Sequence, residues 1–321
     1  GHGVHRQIFA NTVTMGSGVI GHVLSRNKTS AIGLLGSALL PVPRHSVVAN
    51  ETAAARAAAE VGYPVVVKPV NLGGGKGISV GVETEEQVRK AFREASRYGE
   101  PVAIEEFIPG EDHRLLVVDG KMIAAAKRVP AFVVGDGNHT IRELIERLNR
   151  DQGRRVGSQF ALAEIKYGPL IRDFLARSGY DGGSVPAEGE TVQLLGAANI
   201  SSGGTAVDVT DEVHAENRAL VERAARITGL GTAGVDFITT DISRSWREVG
   251  GKLCELNDSV GLRPHWQSNR DRDIVGPLID TMIPPGTNGR IPIAAITGTS
   301  GKTTTAHMLA RILQEAGTSV G

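Results

Sequence analysis

Short runs of β-branched and other apolar residues recur along the chain, separated by turns rich in glycine, proline or charged residues. Such runs are typical of strands. Two of them are joined by Val117-Val118-Asp119-Gly120-Lys121, whose Asp-Gly pair is typical of a tight antiparallel hairpin. The pattern indicates a mixed α/β (α+β) fold rather than a strict alternation of strand and helix. The predicted strands are Val65–Lys68, Ile78–Val82, Val102–Glu105, Arg114–Val118, Met122–Ala126, Gly234–Ile238 and Lys252–Asn257.

Helices are predicted where capping residues precede apolar positions at helical spacing. Thr84 is followed three residues later by Gln87, and Thr140 by Glu143, which is the pattern of a capping box. Two further segments end at glycines, as many helices do. The predicted helices are Glu51–Val61, 85–98, 141–149 and Asp211–Thr228.

Composition narrows the class of protein. The chain has 321 residues, enough for two or three domains at roughly 100–200 residues each. Its 35 basic and 35 acidic side chains balance, so no net field favours nucleic acid or an anionic membrane. A single cysteine excludes an internal disulfide, and no apolar run approaches the roughly 20 residues of a membrane span. We expect a cytoplasmic protein without nucleic-acid or membrane partners, and a fragment of a longer chain.

A glycine-rich segment follows the first predicted strand and contains Gly73, Gly74, Gly75, Lys76 and Gly77. Glycines let backbone amides approach a polyphosphate closely, and the lysine adds a mobile cation. A lysine at the end of an apolar strand, such as Lys68, calls for an anionic partner or exposure. The segment therefore suggests a site for ATP phosphates. The alternative is a plain hairpin turn with a solvated lysine.

Three oxygen donors are predicted to converge on neighbouring strands. Glu255 and Asn257 are two residues apart on one strand and so share a face, and Asp236 lies on the strand before. Such donors suit Mg²⁺, which takes one or two protein carboxylates together with phosphate oxygens. The alternative is a sheet edge whose polar residues face water. Cys254 is predicted to point the other way, as a small core residue.

A second glycine-rich loop lies near the carboxyl end. It follows a Pro/Gly-rich linker at 283–289 and a predicted strand, Ile291–Thr297, so we place a domain boundary there. The loop differs from the general phosphate-loop pattern in lacking its first glycine. Its residues are Gly298, Thr299, Ser300, Gly301, Lys302, Thr303 and Thr304.

These motifs, in their order along the chain, resemble the ATP-grasp superfamily of carboxylate–amine ligases. Longer segments are similar to the cyanophycin synthetase family, in which an ATP-grasp domain precedes a Mur-ligase-like one. The second loop resembles the Mur version of a phosphate loop. The segments are Lys127–Ala131, Val134–Leu144, Asn199–Val213 and Gly261–His265.

The resemblance implies an ADP-forming ligase that uses ATP and Mg²⁺. It would activate the terminal carboxylate of a peptide-like polymer as an acyl phosphate and add aspartate, while the Mur-like domain would add arginine. A homo-oligomer is also expected. The implied domains are the tail of a preceding domain at 1–20, two ATP-grasp lobes at 21–107 and 108–283, and the start of the Mur-like domain at 284–321.

The resemblance also implies roles for individual residues. Lys28 and Lys68 would contact the ATP phosphates, and Asp236, Glu255 and Asn257 would bind the cation. A hinge between the lobes would face adenine and ribose. Its residues are Glu105, Glu106, Phe107 and Ile108.

Candidates for catalysis follow from side-chain chemistry. Arg128, Arg263 and His265 are candidates for holding carboxylates and developing charge, since arginine pairs with such groups in a planar fork. His139 would orient or deprotonate the amine, the alternative being an ordinary turn residue. The glycine- and charge-rich segment 129–190 is expected to be a large mobile loop over the site, or else a simple insertion.

Some residues depart from the family pattern. Asp258-Ser259-Val260 stands where the family commonly has a small residue followed by Ser-Pro-Gly, and Trp266 adds bulk after His265. The identity of the acceptor therefore stays open. The alternatives are another ATP-grasp peptide ligase, of dipeptide-unit, glutathione or D-Ala-D-Ala type, and a nucleotide-binding protein without turnover.

Overall fold

Two antiparallel sheets, of four and five strands, form the framework of the protein. The computed structural model describes residues 8–70, 77–151, 154–155, 162–196, 198–283, 292–318 and 320. The strands in chain order are β1 (Phe9–Ala10), β2 (Val13–Thr14), β3 (His45–Val48), β4 (Val65–Pro69), β5 (Ser79–Val82), β6 (Val102–Glu106), β7 (Glu111–Val118), β8 (Lys121–Val129), β9 (Phe132–Val134), β10 (Thr191–Gln193), β11 (Thr205–Asp208), β12 (Thr232–Thr239) and β13 (Lys252–Asn257). The helices are α1 (Val19–Arg26), α2 (Lys28–Ser37), α3 (Glu51–Val61), α4 (Glu85–Ser96), α5 (Ile141–Asp151), α6 (Pro169–Arg177), α7 (Ala215–Thr228), α8 (Trp246–Val249), α9 (Arg263–Ser268), α10 (Gly276–Asp280) and α11 (Lys302–Glu315).

The first sheet has the strand order β3-β6-β4-β5 and packs against α3 and α4. Both helices begin at a capping side chain, which was predicted for Thr84 but not for Asn50. The side chain of Asn50 accepts a hydrogen bond from the amide of Ala53 at 2.9 Å, and that of Thr84 accepts one from Gln87 at 3.3 Å. These bonds satisfy amides that have no partner within the first turn of a helix. The mixed α/β fold predicted from the sequence is confirmed.

The second sheet has the strand order β11-β8-β7-β12-β13. Its β7–β8 hairpin turns at Asp119 and Gly120, whose φ angles of 47° and 71° are both positive, as the predicted Asp-Gly turn requires. One face of this sheet packs against α7, and Leu35 of α2 joins the same core. Residues of α2 thus pack with the second sheet although they precede the first one along the chain.

The described residues of segment 129–190 form strands and helices rather than one large loop, which corrects the sequence prediction. Strands β9 and β10 pair with each other, and α5 and α6 pack on them around a separate core that includes Ile165 and Leu175. Helix α5 has a complete capping box, because the Thr140 amide donates to Glu143 Oε2 at 2.8 Å and the Glu143 amide donates to Thr140 Oγ1 at 3.3 Å. We call residues 130–204 the inserted unit.

Two further elements differ from the sequence prediction. The helix expected from Asp211 is divided, because Val213 has extended backbone between a short 3₁₀ turn at Thr210–Glu212 and α7. Residues 292–297 form no strand. A strand needs a hydrogen-bonded neighbour, and none of the described strands pairs with this segment. In the described ranges, no helix has the length and apolar composition needed to cross a membrane.

Candidate active site

Charged residues form a row across one face of the second sheet. Arg128 of β8 is paired with Asp112 of β7, and Arg114 of β7 is paired with Asp236 of β12. Asp236 is in turn paired with Glu255 of β13. Because residues two apart on a strand share a face, Asp112 and Arg114 lie on the same side of β7. The other face of these strands is apolar and lies in the core under α7. We refer to these five residues as the charged row.

Ion pairs connect most of the charged row. Arg114 donates hydrogen bonds to both oxygens of Asp236. Its Nε makes a short contact with Oδ1, and its Nη2 lies 3.1 Å from Oδ2. Arg128 Nη2 lies 2.9 Å from Asp236 Oδ2 and 2.6 Å from each oxygen of Asp112. The side chains of Arg128 and Asp236 are only 12% and 9% exposed. Water therefore screens these charges weakly.

Burial and neighbouring charges act in opposite directions on the two aspartates. Burial alone would raise the pKa of Asp236, but the charges of Arg114 and Arg128 outweigh burial and hold the pKa below its usual range. The pKa of Asp112 is raised, because burial and the nearby charge of Asp236 outweigh the attraction of Arg128. Asp236 is thus the more firmly ionised carboxylate of the two.

The predicted cation ligands lie next to one another. Asp236 is opposite Glu255, and Asn257 is opposite Gly234, two residues along the same strand. The buried amide nitrogen of Asn257 has no hydrogen-bond partner within the part of the chain that the structure describes. Nor does that part contain a group of three or more His, Cys, Asp or Glu side chains able to hold a metal ion. The three donors fit a Mg²⁺ ion that phosphate oxygens help to coordinate, and this assignment stays a prediction.

Cys254 is half-buried and is not one of the buried core residues, which corrects the sequence prediction. The register between β12 and β13 shifts by one residue, so that Cys254 is the extra residue of a β-bulge. The bulge breaks the alternation of faces, and Leu253 and Leu256 are both buried although they are three residues apart. Burial raises the pKa of the Cys254 thiol, and the nearby charge of Glu105 raises it further. The thiol is thus a poor nucleophile beside the charged residues.

Two lysines predicted to contact phosphates lie beside acidic residues of the site. Lys68 Nζ on β4 is 2.6 Å from Glu105 Oε2 on β6. Lys28 Nζ, at the start of α2, is 3.3 Å from Glu255 Oε1 on β13. Each lysine is therefore held by an acidic residue that was also predicted to belong to the ATP site. Of the glycine-rich loop, Gly73, Gly74, Gly75 and Lys76 lie outside the described residues, while Gly77 has a positive φ of 69°.

The predicted hinge, Glu105–Ile108, lies where the chain passes from the first sheet to the second. Strand β6 ends at Glu106, and the amide of Phe107 donates to the carbonyl of Pro64 at 3.3 Å. Glu106 accepts from Lys252 Nζ of β13 at 2.6 Å and from the Arg44 amide at 3.1 Å. Burial would raise the pKa of Glu106, but these donors lower it. The predicted contacts with adenine and ribose stay a prediction.

His265 is buried on α9, and its predicted role in holding carboxylates or developing charge stays a prediction. It is 3% exposed, and burial together with the charge of Arg114 lowers its pKa to about 3. Neither ring nitrogen has a hydrogen-bond partner in the described ranges. A neutral imidazole still offers one donor and one acceptor. Arg263, two residues earlier on α9, is half-buried, and its predicted role is not tested by the geometry.

His139 lies in the inserted unit, just before α5. Its Nδ1 is 2.7 Å from Asp136 Oδ2, and Arg147 Nη1 lies 3.1 Å from the same nitrogen. Within the described ranges, these neighbours are its side-chain hydrogen-bond partners, and the structure shows no contact with the charged row. Its proposed role in handling the amine stays a prediction.

The second glycine-rich loop leads directly into a helix. Gly298 and Gly301 have positive φ angles of 146° and 78°, and α11 begins at Lys302. Lys302 Nζ donates to the carbonyl of Gly298 at 2.5 Å. A loop that turns into a helix amino terminus is suited to phosphate. Binding of a nucleotide by Gly298–Thr304 stays a prediction.

Sequence reasoning missed three charged residues of the site, Asp112, Arg114 and Lys252. Asp112 and Arg114 precede the apolar run Leu115–Val118, and charges at alternate positions leading into a buried strand were the available signal. Their partners became evident only from the strand register. Lys252 gave no local signal, since its partner Glu106 is remote in sequence.

Comparison with known proteins supports the fold. Residues 29–135 match the family described as D-ala D-ala ligase C-terminus. A bifunctional glutathione synthetase from Pasteurella multocida superposes with a TM-score of 0.63 and 28% sequence identity, covering 88% of this chain and 40% of that one. The two sheets and their connecting segment thus have the ATP-grasp arrangement.

Comparison of sequences extends over the whole chain. A cyanophycin synthetase from Trichormus variabilis is 40% identical over 100% of this chain, which covers 36% of that relative. A bifunctional glutathione biosynthesis protein from Clostridium perfringens is 32% identical over 63% of this chain and 26% of its own length. This chain thus spans little more than a third of the cyanophycin synthetase that it matches. It contains an ATP-grasp domain and is related along its whole length to the cyanophycin synthetases.

Proposed function

We propose that the protein is an ADP-forming carboxylate–amine ligase and that this chain contains its ATP-grasp site. The observation that carries the proposal is the 3.3 Å contact between Lys28 Nζ and Glu255 Oε1. Lys28 was predicted to contact the phosphates and Glu255 to bind the cation. These residues are far apart in sequence, yet their side chains form an ion pair. A cation that bridges the phosphates of ATP requires this proximity.

The reaction would proceed in two steps. A carboxylate oxygen attacks the γ-phosphorus of ATP, so that ADP leaves and an acyl phosphate forms. The amine nitrogen then attacks the acyl carbon, inorganic phosphate leaves, and the amine loses a proton. When bound, Mg²⁺ would neutralise charge on the transferring phosphoryl group. Lys28 and Lys68 would hold the polyphosphate, and Arg128 would orient the carboxylate.

The substrate class follows from relationship rather than from geometry. Relatives named cyanophycin synthetase are 40% identical over the full chain. We therefore propose that the activated group is the terminal carboxylate of a peptide-like polymer and that the amine is aspartate. The loop at 298–304 would belong to a Mur-ligase-like domain that adds arginine. A cytoplasmic homo-oligomer, with no nucleic-acid or membrane partner, remains part of this proposal.

ADP release tests the proposal directly. Purified protein is supplied with ATP, Mg²⁺ and a short polymer primer, together with each of the twenty amino acids in turn. We expect ADP formation that depends on both primer and amino acid, with incorporation of that amino acid into the polymer. Absence of ADP with every acceptor would contradict the ligase assignment.

A second experiment concerns His139. If the imidazole takes a proton from the amine, His139→Ala should lower kcat by roughly 10²–10⁴-fold, with a smaller loss when the acceptor amine is supplied at higher pH. His45→Ala, on β3, serves as a control. Unchanged turnover of His139→Ala would make His139 a turn residue only.

The alternatives give different results in the same assays. A ligase of glutathione type, for which the 32% identical relative is the supporting observation, would form ADP with a small peptide and without a polymer primer. A ligase that adds dipeptide units would require a dipeptide. A nucleotide-binding protein without turnover would bind ATP but release no ADP.

A further inference from the structure

The guanidinium group of Arg128 contacts two carboxylates, those of Asp112 and Asp236. Its Nη2 lies 2.6 Å from both oxygens of Asp112 and 2.9 Å from Asp236 Oδ2. One nitrogen of a guanidinium group carries two hydrogens, so it cannot make three strong hydrogen bonds. Arg128 therefore has two competing partners, Asp112 on β7 and Asp236 on β12.

Asp236 Oδ2 is fully occupied by arginine. Besides Arg128 at 2.9 Å, it receives Arg114 Nη2 at 3.1 Å. Arg114 also contacts the other oxygen, so its hold on Asp236 does not depend on Oδ2 alone. An oxygen that binds a divalent cation needs a lone pair directed at the ion, and a guanidinium group bonded to that lone pair competes with the ion. Departure of Arg128 would therefore free one lone pair of Oδ2, while Arg114 keeps its contacts with Asp236.

Asp112 offers Arg128 another position. It is the direct cross-strand partner of Arg128, and both of its oxygens already lie within hydrogen-bond distance. Arg128 can thus pass wholly to Asp112 by a side-chain movement, while the pairing of β7 with β8 is kept. The Nε of Arg128 is buried and has no partner in the described residues. The guanidinium group therefore has one donor that it does not use in its present position.

We propose that Asp112 is a positioning residue that draws Arg128 away from Asp236 when a divalent cation binds there. The inference rests on the proposed cation site at Asp236, Glu255 and Asn257. It gives Asp112 a role without direct contact to the ion. Without the Asp112 charge, Arg128 would stay on Asp236 and would compete with the cation.

Binding of Mn²⁺ to the ADP complex tests the inference without any need for turnover. Bound and free Mn²⁺ are distinguished by electron paramagnetic resonance. We expect Asp112→Asn to weaken Mn²⁺ binding roughly 10-fold or more, as loss of residues behind metal ligands commonly does. Glu111→Gln, which removes a neighbouring carboxylate that pairs with Lys127, is the matched control and should bind Mn²⁺ like the wild type.

A second variant separates competition from damage to the fold. Arg128→Met added to Asp112→Asn removes the competitor and should restore Mn²⁺ binding toward the wild-type level. If Asp112→Asn alone does not fold, Arg128→Met alone should bind Mn²⁺ more tightly than the wild type. The inference is overturned if Arg128→Met strengthens Mn²⁺ binding neither in the wild type nor in Asp112→Asn.

Glu255→Gln distinguishes this inference from the cation site itself. If Glu255→Gln leaves Mn²⁺ binding unchanged, the cation site is wrong, and the role of Asp112 falls with it. If Glu255→Gln weakens binding while folded Asp112→Asn binds like the wild type, the site stands and only the role of Asp112 is overturned.

Discussion

The Lys252 ammonium group lies 2.6 Å from the Glu106 carboxylate and thereby joins the edge strand of the second sheet to the end of the first. Glu106 also accepts from the Arg44 amide, at the start of the first sheet. One carboxylate thus ties three segments together beside the passage between the sheets. Both partners are about one-fifth to one-quarter exposed, so the pair is partly shielded from water.

Breaking this link should loosen the relative positions of the lobes. We expect Lys252→Met to weaken ATP binding by about fivefold, corresponding to about 1 kcal/mol for one such pair, with a small fall in Tm. Isothermal calorimetry measures the affinity, and Lys90→Met, on the exposed side of α4, is the control. Equal ATP affinity in the two variants would show that the link is not needed to shape the site.

Loss of the Glu255 charge should affect chemistry far more than folding. Glu255 lies opposite Asp236 at the edge of the sheet, so an amide in its place preserves the shape of the side chain. We expect Glu255→Gln to lower kcat by at least roughly 10²-fold, the usual effect of removing one group that stabilises transition-state charge. Tm should stay close to that of the wild type. Near-normal turnover would remove Glu255 from the cation site.

The buried His265 should make the protein sensitive to acid. Its pKa of about 3 lies below its ordinary value of 6.5. Between these values the unfolded chain binds a proton that the folded chain does not, so stability falls as the pH falls. At pH 4.5 the loss from this residue amounts to roughly 2–3 kcal/mol.

A neutral replacement checks this effect. The free energy of unfolding, measured by urea denaturation at pH 7 and pH 4.5, should fall less between the two pH values in His265→Gln than in the wild type. His307→Gln, on the exposed surface of α11, is the control. Equal falls in wild type and His265→Gln would indicate that the imidazole is protonated in the folded protein.

The inserted unit should unfold separately from the two sheets. Its core has no residue in common with the cores of the sheets. Leu175→Ala, at a fully buried position of α6, should destabilise the unit by about 2–5 kcal/mol. Hydrogen exchange should then quicken in α5 and α6 but not in β7 and β12. Leu170→Ala, at a half-exposed position of the same helix, is the control, and a uniform increase across the sheets would contradict a separate core.

Local signals predicted local structure well. The Thr140–Glu143 capping box and the Asp119-Gly120 turn depend on a few adjacent residues, and both have the expected geometry. Seven predicted strands, from Val65–Lys68 to Lys252–Asn257, lie within a few residues of their observed bounds, because a β-branched run between turns is visible without knowledge of its partner. The strand predicted at Ile291–Thr297 is wrong, since residues 292–297 form no strand.

Features set by strand pairing escaped prediction. The orientation of Cys254 depends on a bulge that exists only relative to β12. The importance of Asp112 and Arg114 depends on which residues face them across the sheet. The inserted unit resembled a loop because its apolar residues are scattered among glycines and charges, and they form a core only once the chain has folded.

The inserted unit leaves the second sheet and returns to it at one place. Val129, the last residue of β8, is paired with Thr205, the first residue of β11. The ends of the unit are therefore as close together as the ends of a hairpin, whatever lies between them. Insertions and deletions within 130–204 can change the size of this unit while the strand register that positions the charged row is preserved. We therefore expect relatives that share this sheet to differ in length mainly within the inserted unit.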